Sequence, residues 1–417
     1  MHTMSYADRL QSALAEPDRH LLRGAASIAA RLNQPLYLVG GPVRDCLLGR
    51  PIVDFDLTVE GDAIDLARLI AHELGGALKT HERFGTARLV LPGRTRTIDL
   101  AMTRTETYAR PAALPDVLAG AIQDDMARRD FTINAMAIRL DGDYFGELID
   151  PYHGEADLQH GLIRVLHARS FIDDPTRLFR AARFEQRFGF TVEAATLNLI
   201  PPALPVLDQV SGDRLRHEFE LIFREDHPER ALARLHDWRV LRQIDRELIV
   251  DDQIRAKFQS RPAPFEPFAC WVWLLGRCSP VALMHVTQRL NLLRDDAIDL
   301  EQVMALRDQQ ALIGNAPTAS TLYHQLDYFG DRALQAATAA IDDERARANI
   351  DRYRRELREV KLSIDGTRLK ALGLPEGPAV GRILTQLRDA VLDGAVSGPQ
   401  QEEAYARTLI AQVNYSG

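Results

Sequence analysis

Three cysteines in 417 residues, Cys46, Cys270 and Cys278, leave little material for a disulfide framework, and their spacing fits no metal-ligand pattern. No run of residues approaches the apolar length of a membrane span, and the start from Met1 to Asp8 lacks a signal-peptide layout. A reducing cytoplasm is the expected location and no membrane is an expected partner. A basic excess is missing as well. The formal net charge is −8, so any contact with nucleic acid must come from a local patch and not from the charge of the whole chain. Internal repeats and low-complexity tracts are also lacking. What is present, 46% hydrophobic and 26% charged residues, is the composition of a globular protein. Its length suits about two to four domains.

The chemistry concentrates in a few stretches. Pro35 to Val39 is a short apolar and aromatic run of strand type that ends at Gly40-Gly41. Paired glycines let the backbone approach a ligand and aim amide groups at it, as a phosphate-cradling turn requires. Val43 to Leu48 continue with helical spacing, which places the turn at a helix N-terminus, where anions are favoured. Arg44 adds a guanidinium for a phosphate. Alone, such a turn is often purely structural.

Asp54 and Asp56 shift the balance. In Val53 to Val59 the residues alternate with period two, so a strand projects both carboxylates from one face and Phe55 and Leu57 from the other. Neighbouring carboxylates on a strand repel each other, and a divalent cation resolves the conflict. Hard oxygen ligands select Mg2+, which also binds substrate phosphates and needs few protein ligands. A pair of such ions, roughly 3.5 to 4 Å apart, activates a hydroxyl and stabilises departing pyrophosphate. Asp99, in the strand-like run Thr97 to Ala101, is a candidate third carboxylate or a surface residue.

A further stretch, Asp173-Asp174-Pro175-Thr176-Arg177, predicts a helix capped by Asp174 with Pro175 at its first position. From there Arg177, Arg180, Arg183 and Arg187 share one face at about 100° per residue, opposite Leu178, Phe179 and Ala182. Like charges on one face repel and suit a polyanion, although a solvated amphipathic helix has the same pattern.

Leu38 to Asp45, Leu47 to Arg50, the Asp54/Asp56 pair and Arg129 to Ala137 together resemble the class II tRNA nucleotidyltransferase and bacterial poly(A) polymerase family of the DNA polymerase beta superfamily. The similarity extends from about residue 35 to about residue 225, with the motifs in the family's order. It implies that Gly40, Gly41 and Arg44 hold a triphosphate, that Asp54 and Asp56 ligate the metals, and that Arg129 contacts the nucleotide. Asp174 and Arg177 match the pair that acts as a protein template for the incoming base, and Arg180 and Arg183 match further arginines of the nucleotide pocket. The chemistry agrees: a carboxylate accepts from the exocyclic amine of cytosine or adenine, and a guanidinium donates to the neighbouring ring nitrogen or carbonyl. One departure is Asp173-Asp174 where many members have Glu-Asp.

The implied substrates are CTP, ATP and the tRNA 3′ end. Full CCA addition is placed slightly ahead of CC-only or A-only addition, and poly(A) synthesis is the other alternative. The stretch from Thr103 to Val117 reads as a loop, and in the family this region influences which nucleotides are added. No oligomeric state follows from the residues.

The implied fold is an α/β nucleotidyltransferase head with a small mixed sheet, followed by an all-α neck, body and tail. Residues 1–30 are expected to be a helical segment, 31–165 the head, 166–235 the neck and 236–417 the body and tail. Strands are predicted at 35–39, 53–59, 86–91 and 97–101, and helices at 43–48, 62–74 and 130–137. Arg352, Arg354, Arg355, Arg358 and Lys361 form a second basic run, either a solvated helix face or an RNA contact. His236-Asp237 has the form of a phosphohydrolase ligand pair but lacks companion ligands.

Overall fold

The computed structural model describes residues 4–82, 85–91, 97–107, 110–112, 116–260 and 266–415. The chain divides into two compact units, residues 1–246 and 247–417.

The first unit begins with α1 (Tyr6–Ala13) and α2 (Glu16–Arg31) and continues as a mixed sheet. Its strands are β1 (Leu36–Val39), β2 (Phe55–Val59), β3 (Ala77–His81), β4 (Thr86–Val90), β5 (Thr97–Met102), β8 (Ala137–Arg139) and β9 (Leu148–Ile149), in the order β3-β4-β5-β2-β1-β8-β9. β6 (Arg104–Thr107) and β7 (Asp116–Ala119) form a separate antiparallel pair. Only β2 and β5 pair in parallel within the large sheet. Burial explains the arrangement: all four residues of β1 are buried, as expected of a central strand covered on both faces. α3 (Gly41–Leu47) leaves the end of β1, and α4 (Ala63–Leu74) starts at Asp62, whose side chain caps the amides of Ile64 and Asp65.

The helices that follow are α5 (Ile122–Ala127), α6 (Gly154–His160), α7 (Ser170–Asp173), α8 (Arg177–Phe188), the short α9 (Ala194–Leu197) and α10 (Ile200–Ala203), α11 (Gly212–Phe223), α12 (Pro228–Asp237) and α13 (Val240–Ile244). α8 packs against α11 and α12. Phe179 meets Phe219 edge-on at 5.3 Å between ring centroids, and both side chains are fully buried.

Two local expectations are corrected. Residues 130–137 are not a helix. They form one 3-10 turn, Thr132–Asn134, and then enter β8, which pairs with β1. The Thr132 amide donates to the Arg164 carbonyl and the Thr132 hydroxyl to Asp157, while the Met136 carbonyl accepts from the Gly40 amide. Long-range partners therefore take the groups that a helical ladder would use. The 103–117 stretch is not simply a loop either. Its two ends enter β6, with Thr105 and Thr107, and β7, with Val117; Tyr108, Ala109 and 113–115 lie outside the described residues.

The second unit is helical, from Asp252–Gln259 to Gly398–Tyr415. Phe258 packs edge-on against Trp273 at 5.3 Å. The Leu372 to Leu384 stretch is the expected turn entering a helix: Gly373 has φ 97° and the helix Ala379–Leu392 follows. Arg354 and Arg358 of the second basic run both pair with Asp331, and Arg352 lies 3.7 Å from Glu356, so much of that charge is answered within the protein. No helix among the described residues is long and apolar enough to cross a membrane.

Gly154 begins α6 directly against the 3-10 turn, where an added Cβ would lie 2.2 Å from the Thr132 carbonyl oxygen. Gly154→Ala is expected to cost about 1–3 kcal/mol through forced displacement of that turn, read as a fall in the thermal midpoint.

Candidate nucleotide-binding site

The turn after β1 is built around a glycine that no other residue replaces easily. Gly40 has φ 69°, and a Cβ there would meet the Arg129 guanidinium at 2.5 Å. Both the backbone conformation and the approach of Arg129 depend on the missing side chain. Gly41 then opens α3. Arg44, 6% exposed, donates from Nη1 to Asn134 Oδ1 at 2.7 Å and from Nε and Nη2 to Asp45, and its guanidinium stacks 4.5 Å from the Phe188 ring centre.

Asn134 in turn donates to Asp130 Oδ1 at 3.0 Å, and Arg180 Nε donates to Asp130 Oδ2 at 2.8 Å. Burial alone would raise the Asp130 carboxyl, but the charge of Arg180, the hydrogen bonds from Asn134 and Arg180, and the charge of Arg177 hold it down at about 2. Arg129 is anchored by Asp125, which accepts from its Nη2 at 2.9 Å. The cluster Arg128-Arg129-Asp130 is thus partly buried just after α5.

Asp54 lies just before β2 and Asp56 within it. Asp99 stands directly across from Asp56 in the parallel register of β2 and β5. The Asp56 carboxyl is pushed up, first by burial and then by the negative charges of Asp99 and Asp54, with Arg129 acting against them. Hard oxygens crowded in this way suit a divalent cation. Asp99 itself is held by Arg88, which donates to both of its oxygens at 2.6 and 2.8 Å. No group of three or more potential ligands forms among the described residues, His236-Asp237 included.

The stretch from Asp173 to Arg177 is placed differently in detail. α8 starts at Arg177 with Thr176 as its cap, and Asp174 sits one turn earlier, accepting from the Thr176 amide and hydroxyl. Its Oδ1 also accepts from Arg214 of α11 at 2.7 Å. Arg177, 5% exposed, donates from Nη1 to the Ser170 hydroxyl and from Nη2 to the Arg128 carbonyl. Each member of the pair is fixed through one side while Asp174 Oδ2 and Arg177 Nε take no hydrogen bond among the described residues. The expected arginine face is therefore not solvated: Arg177 and Arg183 are buried and Arg180 is half-buried, while Arg187 is exposed and pairs with Glu225.

Gly40, Gly41, Arg44, Asp56, Arg129, Asp174, Arg177, Arg180 and Arg183 all line one cavity of about 820 Å³. Asp99 lines a neighbouring cavity that shares Asp56 and Arg129. The large cavity also includes Asp130, Arg214, His217 and Glu218, none of which the sequence singled out as site residues. Arg214 to Glu218 lie on an ordinary amphipathic helix, and their contact with α8 spans about forty residues, so no local pattern marks them.

Residues 36–164 match the poly A polymerase head domain, and residues 189–249 match the probable RNA and SrmB-binding site of polymerase A. An A-adding tRNA nucleotidyltransferase of Geobacter sulfurreducens is 36% identical over 95% of this chain, which spans 47% of that relative's length. An A-adding tRNA nucleotidyltransferase of Halalkalibacterium halodurans is 33% identical over 97% of this chain and 96% of its own. The chain belongs to the tRNA nucleotidyltransferase family. The Thermotoga maritima CCA-adding enzyme, solved in complex with tRNA, superposes with a TM-score of 0.72 at 30% identity over 98% of this chain and 99% of its own. As in that family, a polymerase-beta-like head precedes helical regions, and the chain is a nucleotidyltransferase.

Asp130→Asn in this nucleotidyltransferase leaves the half-buried Arg180 against a neutral group, and a loss of about 1–3 kcal/mol is expected. Because the Asp130 carboxyl is depressed, its stabilisation is complete above the ordinary aspartate pKa of about 4 and disappears as pH falls toward about 2. Chemical denaturation at pH 7 and pH 3 is expected to show a smaller stability loss on acidification in the variant than in the native chain.

Proposed function

We propose that this nucleotidyltransferase adds the terminal adenosine to tRNA ending in CC, using ATP and releasing pyrophosphate. The observation that carries the nucleotidyl-transfer reading is that the glycine turn, Asp56 and the Asp174/Arg177 pair share one cavity. Adenosine addition is favoured by the two relatives that match over almost the whole chain at 33% and 36% identity, both named A-adding.

In this reading Gly40, Gly41 and Arg44 bind the triphosphate, with backbone amides at the start of α3 and a guanidinium already oriented by Asn134. Asp54 and Asp56 hold Mg2+, which when bound supplies charge neutralisation for the phosphates and activation of the attacking hydroxyl. The RNA 3′-oxygen bonds to the α-phosphorus as the bond to the β-phosphate oxygen breaks. Asp174 Oδ2 accepts from the adenine amine and Arg177 Nε donates to the adjacent ring nitrogen. Guanine and uracil present the reverse pattern and would face Asp174 with a carbonyl and the buried Arg177 with a donor, which opposes their binding. The helical second unit supplies contacts to the tRNA.

Full CCA addition is the second reading. It is favoured by solved CCA-adding enzymes bound to ATP and to CTP that match over 98% of this chain with TM-scores of 0.77 and 0.76.

The test supplies Mg2+ and tRNA transcripts ending before CCA, after C or after CC, with labelled CTP and ATP separately and together. One adenosine added only to the CC-ended transcript is expected, and Asp56→Ala should abolish it. Completion of CCA from the shortest transcript would replace the first reading by the second. Stopping at CC, a long adenosine tail, or undiminished incorporation by Asp56→Ala would overturn the assignment.

A further inference from the structure

A third cavity of the first unit has no part in the chemistry above. It holds about 380 Å³ between α1 and the end of α3 and shares no lining residue with either of the other two. That volume falls in the range of small-molecule sites, roughly 300 to 1,000 Å³. α1 is anchored on its other neighbours. The Tyr6 hydroxyl donates to Glu155 of α6 at 2.6 Å, and Ala7 packs on the turn at Gly146, where an added Cβ would lie 2.6 Å from the Ala7 Cβ. These contacts hold the helix in place while a gap stays open toward α3.

The lining is apolar with charge of one sign. Met4, Cys46, Leu47 and Pro51 supply the apolar wall, and Arg9 and Arg50 are the only charged side chains among the lining residues. Burial pushes the Cys46 thiol up to about 11 against the positive charge of Arg9, so at neutral pH it is an uncharged part of that wall beside a cation. The two arginines are unequally occupied. Arg9 lies 3.6 Å from Glu155 and 5.6 Å from the Tyr6 ring centre. The Arg50 guanidinium stacks 5.1 Å from the Phe188 ring centre and has neither a hydrogen bond nor an ion pair among the described residues. Its donors, in a fixed fork, match the oxygens of a carboxylate or a phosphate. No acidic side chain of the lining competes for them.

We propose that this cavity is a binding site for a small amphipathic acid, whose apolar body lies against Met4, Leu47 and Pro51 and whose acid group is held by Arg50 and Arg9. Burial of the apolar body drives association, and charge-assisted hydrogen bonds set the orientation. A cationic analogue with the same body meets like charge at both arginines and is rejected. The assignment stands apart from the nucleotide cavity and does not depend on what that cavity binds.

The experiment titrates octanoate, octyl phosphate and octylamine into the full chain by calorimetry, native and with Arg50→Gln, and repeats the titrations with saturating ATP and Mg2+. Saturable binding of octanoate or octyl phosphate at one site, with a Kd of about 1 mM or tighter, is expected, and the tighter of the two identifies the acid group. Octylamine is expected not to bind. Arg50 is exposed, so Arg50→Gln should fold normally, and it is expected to weaken the acid by about five- to tenfold. Cys46 reports the location: the bound acid should slow its modification by methyl methanethiosulfonate, read by peptide mass spectrometry, and leave Cys270 and Cys278 of the second unit unchanged. Absence of saturable binding by both acids, equal binding of octylamine, unchanged affinity in Arg50→Gln or an unprotected Cys46 would overturn the proposal. Displacement of the acid by ATP would place it in the nucleotide cavity and overturn the proposal as well.

Discussion

The buried Asp130 carboxylate is the point through which the halves of the nucleotide cavity are joined. One of its oxygens receives Asn134, which orients Arg44 beside the glycine turn; the other receives Arg180 from the helix that also carries Arg177. A buried ion pair of this kind adds little net stability, since desolvation offsets most of the attraction. Its effect is to fix geometry. Three segments distant in sequence, near residues 44, 130 and 180, are held in one register before any substrate arrives. The same economy applies to Asp174 and Arg177: Ser170, the Arg128 carbonyl, Thr176 and Arg214 each fix one side of Arg177 or Asp174. Preorganisation by such secondary contacts lowers the ordering cost of binding.

Much of the head was legible locally. A strand ending in two glycines, alternation around Asp54 and Asp56, and an arginine-bearing helix each have a period or a turn residue that marks them, and β1, β2, β4, β5, α3, α4 and α8 lie close to where the pattern puts them. Residues 130–137 were misread as helix because their polar groups are claimed by Arg164, Asp157 and Gly40, partners that local spacing does not reveal. Arg214, His217 and Glu218 escaped for a related reason. On an amphipathic helix, charged residues look like a solvated face until the neighbouring helix is known. The second basic run shows the converse, since Asp331, more than twenty residues away, answers two of its arginines.

The acidic net charge is compatible with a nucleotide site because the charges are segregated. Positive side chains gather around one cavity, with Asp130 holding Arg180, Asp125 holding Arg128 and Arg129, and Glu225 pairing with Arg183 and Arg187. Asp56 lines the same cavity, and its carboxyl is raised by burial and by the negative charges of Asp99 and Asp54.

The most direct measurement of this coupling is calorimetric titration of ATP with Mg2+ into the native chain and into Asn134→Ala. The variant removes the link between Arg44 and Asp130 without touching a proposed ligand contact. Affinity weakened by about tenfold or more, with the fold retained by circular dichroism, is the expected result. Unchanged affinity would show that Arg44 reaches its place without the Asp130 network and would contradict the account.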